Sequence, residues 1–183
     1  MDLGSGADSQ VMPKREWLEG VICFIDRMET KSAMIADAEA RWSNLKKGNE
    51  FPTRQSIDPF EFRSLLPYLS IVELHDNPFR VYYRLVGTEV ARFAEEDFSN
   101  KWLHETGWDP KYQTVNLAIY KRLWDTKAPV FGLSTVECDK AKEYVFEWAL
   151  FPLAADGETI SHCLSVDDFA LIAARTYMLR ESF

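Results

Sequence analysis

The chain has 183 residues and only three cysteines, Cys23, Cys138 and Cys163. An odd number without metal or redox spacing excludes a disulfide framework and a thiolate metal site. The expectation is three reduced, mostly buried thiols. Long apolar runs are missing too: none approaches the ~20 residues of a membrane helix. The segment Gly20 to Ile25 is too short for a secretory signal and runs straight into Asp26. The expected location is therefore the cytoplasm, with no membrane partner. Positive charge is scarce, with 21 Lys and Arg against 29 Asp and Glu, a formal net charge of −8, and no basic run is longer than two. That excludes the basic footprint a nucleic acid would need. Also absent are a phosphate loop, a dinucleotide-type glycine motif, a His-Glu-x-x-His zinc helix and a Gly-x-Ser-x-Gly elbow.

Aromatic residues, by contrast, are plentiful at 14%, including six Trp. The segment Phe79 to Thr88 organises the reading. Val81, Tyr83 and Leu85 alternate with Arg80, Tyr82 and Arg84, the period of a half-buried strand. Gly87 is suited to positive φ and Thr88 to capping a following helix.

Residues 1–12 read as a polar tail. From Lys14 to Met28, Trp17, Leu18, Val21, Ile22, Ile25 and Met28 fall at helical spacing, so residues 13–30 are expected to form an N-terminal amphipathic helix that packs on the domain or dimerises. A second helix is expected from the cap Ser32 to Lys47, with Gly48 as its stop. Asp58-Pro59 opens a short third helix that ends before Pro67. Two strands follow, Ser70 to His75 and Phe79 to Val86, joined by the turn Asp76-Asn77-Pro78. A helical stretch through Val90 and Phe93 leads to a long helix from Asp109-Pro110 to about Asp125. Three strands end the order: Pro129 to Cys138, Glu143 to Pro152 and Thr159 to Asp168. Residues from Ala170 onward form a short helix or tail. Short connections imply antiparallel neighbours. The expectation is an α+β domain, a five-stranded antiparallel sheet with helices over one face and extra N-terminal helices. The other face is left for those helices or for a partner subunit.

The ordered set Trp42, Gly48, Pro52-Thr53-Arg54, Ile57-Asp58-Pro59, Leu65-Leu66-Pro67 and Tyr83-Arg84-Leu85-Val86-Gly87-Thr88 resembles a bacterial PAS-like family of largely uncharacterised proteins. The resemblance runs roughly from Ala38 to Phe169. It implies a PAS-like domain over residues 31–172, followed by a tail at 173–183, and a sensing or regulatory role. The family usually continues with a Gly-x-Asp-x-Thr-Gly-like stretch. Here Glu95-Glu96-Asp97-Phe98-Ser99-Asn100 stands in its place, both glycines replaced; Asn100 can still adopt left-handed geometry. No catalytic residues are carried over.

The candidate ligand-binding residues are Tyr83, Phe93, Phe98, Trp102, Tyr120, Trp124, Phe131, Phe146, Trp148 and His162. They would line one space between sheet and helices, or else fill a solid core. His162 falls in line with Ile160, Leu164 and Val166, as a cavity-lining or core histidine, a haem ligand or a pH reader. His104 could be a haem ligand near the mid-chain helices, and His75 a solvated turn residue. Cys163 alternates away from His162, so the two do not make a nucleophile–base pair. Glu143 and Glu147 read as solvated carboxylates, with Glu147 pointing away from the aromatic face, and Arg54 with Asp58 as an ion pair or cap. Nothing specifies a cofactor, and no flavin-reactive cysteine motif is present.

The leading expectation is a non-catalytic sensory or regulatory domain. It would take a small apolar or aromatic ligand and signal through protein contacts, as a homodimer formed by the N-terminal helix or the open sheet face. The alternatives are a small enzyme with a ketosteroid-isomerase-like pocket, for which His162 is the convenient acid–base residue, and a pure dimerisation scaffold. Against the enzyme stands the element order, with two strands before the longest helix.

Overall fold

The computed structural model describes residues 17–136 and 144–173. The expected tail at 1–12, residues 174–183 of the tail expected at 173–183, and Cys138 with Glu143 lie outside the described residues; the helix or tail expected from Ala170 begins instead as strand, which continues to Ala173. The strands are β1 (Trp17–Leu18), β2 (Ile22–Ile25), β3 (Leu69–His75), β4 (Arg80–Val86), β5 (Lys101–Trp102), β6 (Val130–Val136), β7 (Tyr144–Ala154) and β8 (Ile160–Ala173). The helices are α1 (Ala33–Asn44), α2 (Thr88–Phe93) and α3 (Pro110–Thr126). The strands form one antiparallel sheet in the order β1-β2-β6-β7-β8-β3-β4-β5. The α+β class and the antiparallel sheet agree with expectation; among the described residues the sheet has eight strands, not five. Both outermost strands have two residues, short edges that offer little template for further pairing.

The N-terminal helix is the largest departure. Residues 17–25 form a hairpin, followed by a 3-10 turn at Arg27–Glu29. Glu19 (φ 52°) and Gly20 (φ 69°) both take left-handed backbone, which turns the chain and breaks any helix. Ile22 to Ile25 then pair with Ser134 to Phe131 of β6. The dimer contact expected from a helix at 13–30 has no such element here.

α1 matches its sequence signals. The Ser32 hydroxyl accepts from Ile35 N at 3.0 Å, and Ile35, Ala38 and Trp42 form the buried stripe. The expected third helix is a series of turns instead. Asp58 accepts from Phe60 N at 2.9 Å, but the only regular element between Ile57 and β3 is a 3-10 turn at Leu66–Tyr68. Gly87 caps α2 with ordinary φ (−67°), contrary to the expected positive φ, and Thr88 is the first helical residue. Gly is needed there for space: a Cβ would lie 2.3 Å from the Pro67 carbonyl oxygen.

One further detail re-aims β4. Ile71 pairs with Leu85 but Val72 with Tyr83, so Arg84 is an extra residue, a bulge. Val81 and Tyr83 are buried, while Leu85 is 42% exposed and leaves the expected face.

Helices cover both faces of the sheet. α2 and α3 lie on one side. On the other, α1 packs Trp42 against Phe151 with ring centroids 5.6 Å apart, and Trp42 Nε1 donates to the Pro152 carbonyl at 2.8 Å. Of the two covers expected for this face, N-terminal helices or a partner subunit, the structure shows the helix α1 packed there. Among the described residues, no helix is long and apolar enough to cross a membrane.

Candidate functional site

Strand register sets the floor of a cavity. Gly132, Trp148 and Asp167 lie in one row across β6, β7 and β8. Leu150, Ser165 and Ser70 form the next row across β7, β8 and β3. Residues directly opposite share a face, and Phe146, Trp148 and Leu150 face the cavity. The cavity side of β8 is therefore Cys163, Ser165, Asp167 and Phe169. Gly132 is fixed by its neighbour: a Cβ there would stand 2.1 Å from Trp148 Cζ2. The indole lies in the space a side chain would take.

The roof comes from α2, α3 and the segment between them. It encloses about 410 Å³ with the sheet. Val90, Phe93, Phe98, Trp108, Tyr112, Asn116, Ile119 and Tyr120 line it from above. At the inner end, Tyr83 meets Phe98, Trp108 and Tyr120 edge-on, with centroids 4.7, 5.9 and 6.1 Å away. At the other end, Phe93 stacks on Phe169 at 4.3 Å and meets Phe146 at 5.1 Å. Phe93 is 43% exposed, so this cluster is the mouth.

Of the sequence-selected residues, Tyr83, Phe93, Phe98, Tyr120, Phe146 and Trp148 come together around this space. Trp102, Trp124, Phe131 and His162 do not. Trp102 sits on the outer face of β5 against Tyr82, with the Arg80 guanidinium 4.3 Å from its ring centre. Trp124 packs on Phe79, and Phe131 on Phe151 of the opposite face. His162 is displaced by strand parity: it pairs with Leu153 and Glu73 and lies on the α1 side. Ser161 Oγ and His162 Nδ1 are 2.8 Å apart, and burial lowers its pKa against the pull of Glu73. His104 is exposed and stacks with Trp102, and His75 lies 3.4 Å from Glu73. Among the described residues no His, Cys, Asp and Glu cluster could hold a metal ion.

Sequence reading missed Asp167, Ser165, Phe169, Trp108 and Tyr112. The alternation of β8 aligns Ile160, His162, Leu164 and Val166 as the apolar side, and His162, Leu164 and Val166 lie toward α1, opposite the cavity. The pairing Trp148 to Asp167 decides which side faces the cavity.

The polar atoms give the site its chemistry. Trp148 Nε1 is buried with no hydrogen-bond partner among the described residues, while Tyr83 Oη faces the Tyr120 hydroxyl. Asp167 has one long contact, from Ser165 Oγ at 3.5 Å. Burial pushes its carboxyl from the usual 3.8 up to about 7, opposed only by that hydroxyl. Burial also raises the Tyr83, Tyr120 and Cys163 groups, and the nearby Asp167 charge adds to each. All three are protonated at neutral pH. The other carboxylate of the lining is Asp109, the exposed N-cap of α3, and no Lys, Arg or His lines the cavity among the described residues.

The opposite face of the same strands holds α1. Glu147, expected to be solvated, is 1% exposed. Its oxygens accept from Lys31 N and Ser32 N at 3.0 Å. Asp168 accepts from Ser32 Oγ at 2.5 Å. A carboxylate at the start of a helix meets unsatisfied N–H groups and the positive end of the dipole. Asp167 and Asp168 are consecutive residues serving opposite faces.

No curated protein matches the chain. A family model described as a PAS domain matches residues 28–166, well over half of the 183 residues, from the 3-10 turn after β2 to the middle of β8. The β1–β2 hairpin precedes the matched part and extends its sheet through β6. With this match and the helix-roofed antiparallel sheet, the chain belongs to the PAS domain family of sensory modules.

Proposed function

We propose that this PAS domain senses a small apolar or aromatic molecule held between the sheet and α3, without catalysis, and reports its presence through protein contacts. The observation that carries the reading is the cavity itself. A half-open cleft of about 410 Å³ walled by aromatic rings has the size that takes a small organic ligand. The buried Trp148 Nε1, unpartnered among the described residues, and the Tyr83 and Tyr120 hydroxyls of the same cavity supply orienting contacts to an occupant. The mechanism is a shift of population: the ligand favours one packing of α2 and α3 on the sheet.

Native mass spectrometry of the purified chain, followed by a thermal-shift screen of aromatic compounds, tests this. A bound adduct, or a compound that stabilises the fold, is expected; at about 100 times its Kd a ligand adds about 2.7 kcal/mol. A uniformly negative screen together with a clean apo mass removes the ligand and leaves only a contact role.

One observation favours a second, enzymatic reading. A carboxyl raised to about 7 among tyrosines, in an apolar cavity, is what an acid–base isomerase uses. It predicts turnover of a ketone with an acidic α-proton that Asp167→Asn abolishes. The family match weighs toward sensing.

A further inference from the structure

We infer that the molecule this cavity takes is an organic cation, an amine or amidinium carried on an aromatic body, with Asp167 as its counter-charge. This rests on the ligand-sensing reading above and narrows it.

Asp167 is faced by neutral groups from the elements packed around it. From β7 comes the Trp148 indole, from β4 the Tyr83 phenol, from α3 the Tyr120 phenol, and from β8 itself Cys163 and Ser165. None of these is charged at neutral pH. The remaining charge at the cavity is Asp109, another carboxylate, at the start of α3. No basic side chain lines the space among the described residues. An anionic ligand would meet two like charges in a medium of low dielectric. A neutral ligand would leave the Asp167 carboxyl in its protonated form, with one 3.5 Å contact from Ser165 and no counter-charge. A cation removes that deficit.

The walls agree with this. The faces of aromatic rings carry negative potential and attract a cation placed over them. Tyr83, Phe98, Trp108, Tyr120 and Trp148 surround the space next to the acid. An ammonium group there finds a carboxylate and several ring faces, while its aromatic body fills the remaining volume.

The test is calorimetric titration of the full chain with three near-isosteres: tryptamine, neutral tryptophol and anionic indole-3-acetate. Phenethylamine and phenethyl alcohol serve as a smaller pair. Each amine is expected to bind at least about tenfold more tightly than its alcohol, and indole-3-acetate not to bind. Asp167→Asn, with an unchanged circular dichroism spectrum, is expected to abolish the preference for amine over alcohol. The pH dependence has a definite sign. A bound cation requires the deprotonated carboxyl, so amine affinity falls as pH drops from about 8 to about 5, by up to about tenfold per pH unit, while alcohol affinity stays level. If the alcohols bind as tightly as the amines, or Asp167→Asn leaves amine binding intact, the cation inference fails and the sensing of an aromatic ligand stands. If no compound of the panel binds at any pH, the cation inference fails, and the sensing reading fails with it only if the native mass and the wider aromatic screen are negative too.

Discussion

Asp167 is an acid held where an acid is costly, and that has a measurable signature in the empty protein. In the unfolded chain its carboxyl ionises near 3.8; in the fold it does so near about 7. Between those values the folded state holds the extra proton, so this residue's contribution to stability is lost as pH rises through that window. The difference is worth on the order of 4 kcal/mol at most. Asp167→Asn is expected to melt at higher temperature than the wild type near pH 8, with the gap closing toward pH 4. Melting curves that stay parallel across that range would show that Asp167 is not desolvated. Gly132 makes a second residue-scale case. A Cβ there cannot coexist with the Trp148 ring, 2.1 Å away. Gly132→Ala is expected to cost about 1–3 kcal/mol by overpacking and to alter the near-ultraviolet circular dichroism as the indole is pushed into the cavity. An unchanged spectrum and melting point would mean the ring moves without penalty.

At the scale of elements, α3 ends on Lys127, whose φ of 52° places a β-carbon in left-handed backbone. Glycine fits that position without the clash. Lys127→Gly is expected to stabilise the protein by about 1 kcal/mol, read as a shift of the urea midpoint with unchanged slope; a destabilised variant would mean the Lys side chain makes a contact worth more than the strain. The same scale shows what was legible in the sequence. α1 was readable because its signals agree: Ser32 at the cap, a stripe of Ile35, Ala38 and Trp42, and Gly48 beyond. β3, β4, β6, β7 and β8 stood out by alternation or by β-branched and aromatic runs between turns. The β1–β2 hairpin was not readable, since Trp17, Leu18, Val21, Ile22 and Ile25 fit a helical stripe, and its turn begins on Glu19, a residue that gives no hint of positive φ. Asn100 (φ 59°) and Glu95 (φ 55°) hold left-handed backbone at the two places where the resembling family has glycine. The backbone there was legible through the resemblance, although the residue types had changed. The cavity was half legible. Six of ten chosen side chains line it, because large rings on one face of β4 and β7 must meet whatever packs above. The acid was hidden, since which face of β8 it joins depends on register with β7, a long-range property that no local pattern encodes.

For the whole molecule, a sheet covered on both sides has consequences a half-covered one lacks. The cavity lies under α2 and α3, and α1 lies on the far side of the same strands, anchored through Glu147 and Asp168. Filling the cavity is expected to slow amide hydrogen exchange at Lys31, Ser32 and Ile35 as well as in α3. Asp168→Asn, which loosens the anchor, is expected to weaken tryptamine binding and to reduce that remote effect. Protection confined to α3 in the wild type would show that the two sides are uncoupled.

The adjacency of Asp167 and Asp168 then acquires a mechanical meaning. Two side chains one peptide apart on a strand point in opposite directions, so a small roll of the backbone about its long axis moves them as the two ends of a see-saw. On the proposed sensing function, a pull on the inner carboxylate would shift the outer one against the start of α1, and the two faces would be joined by a single lever.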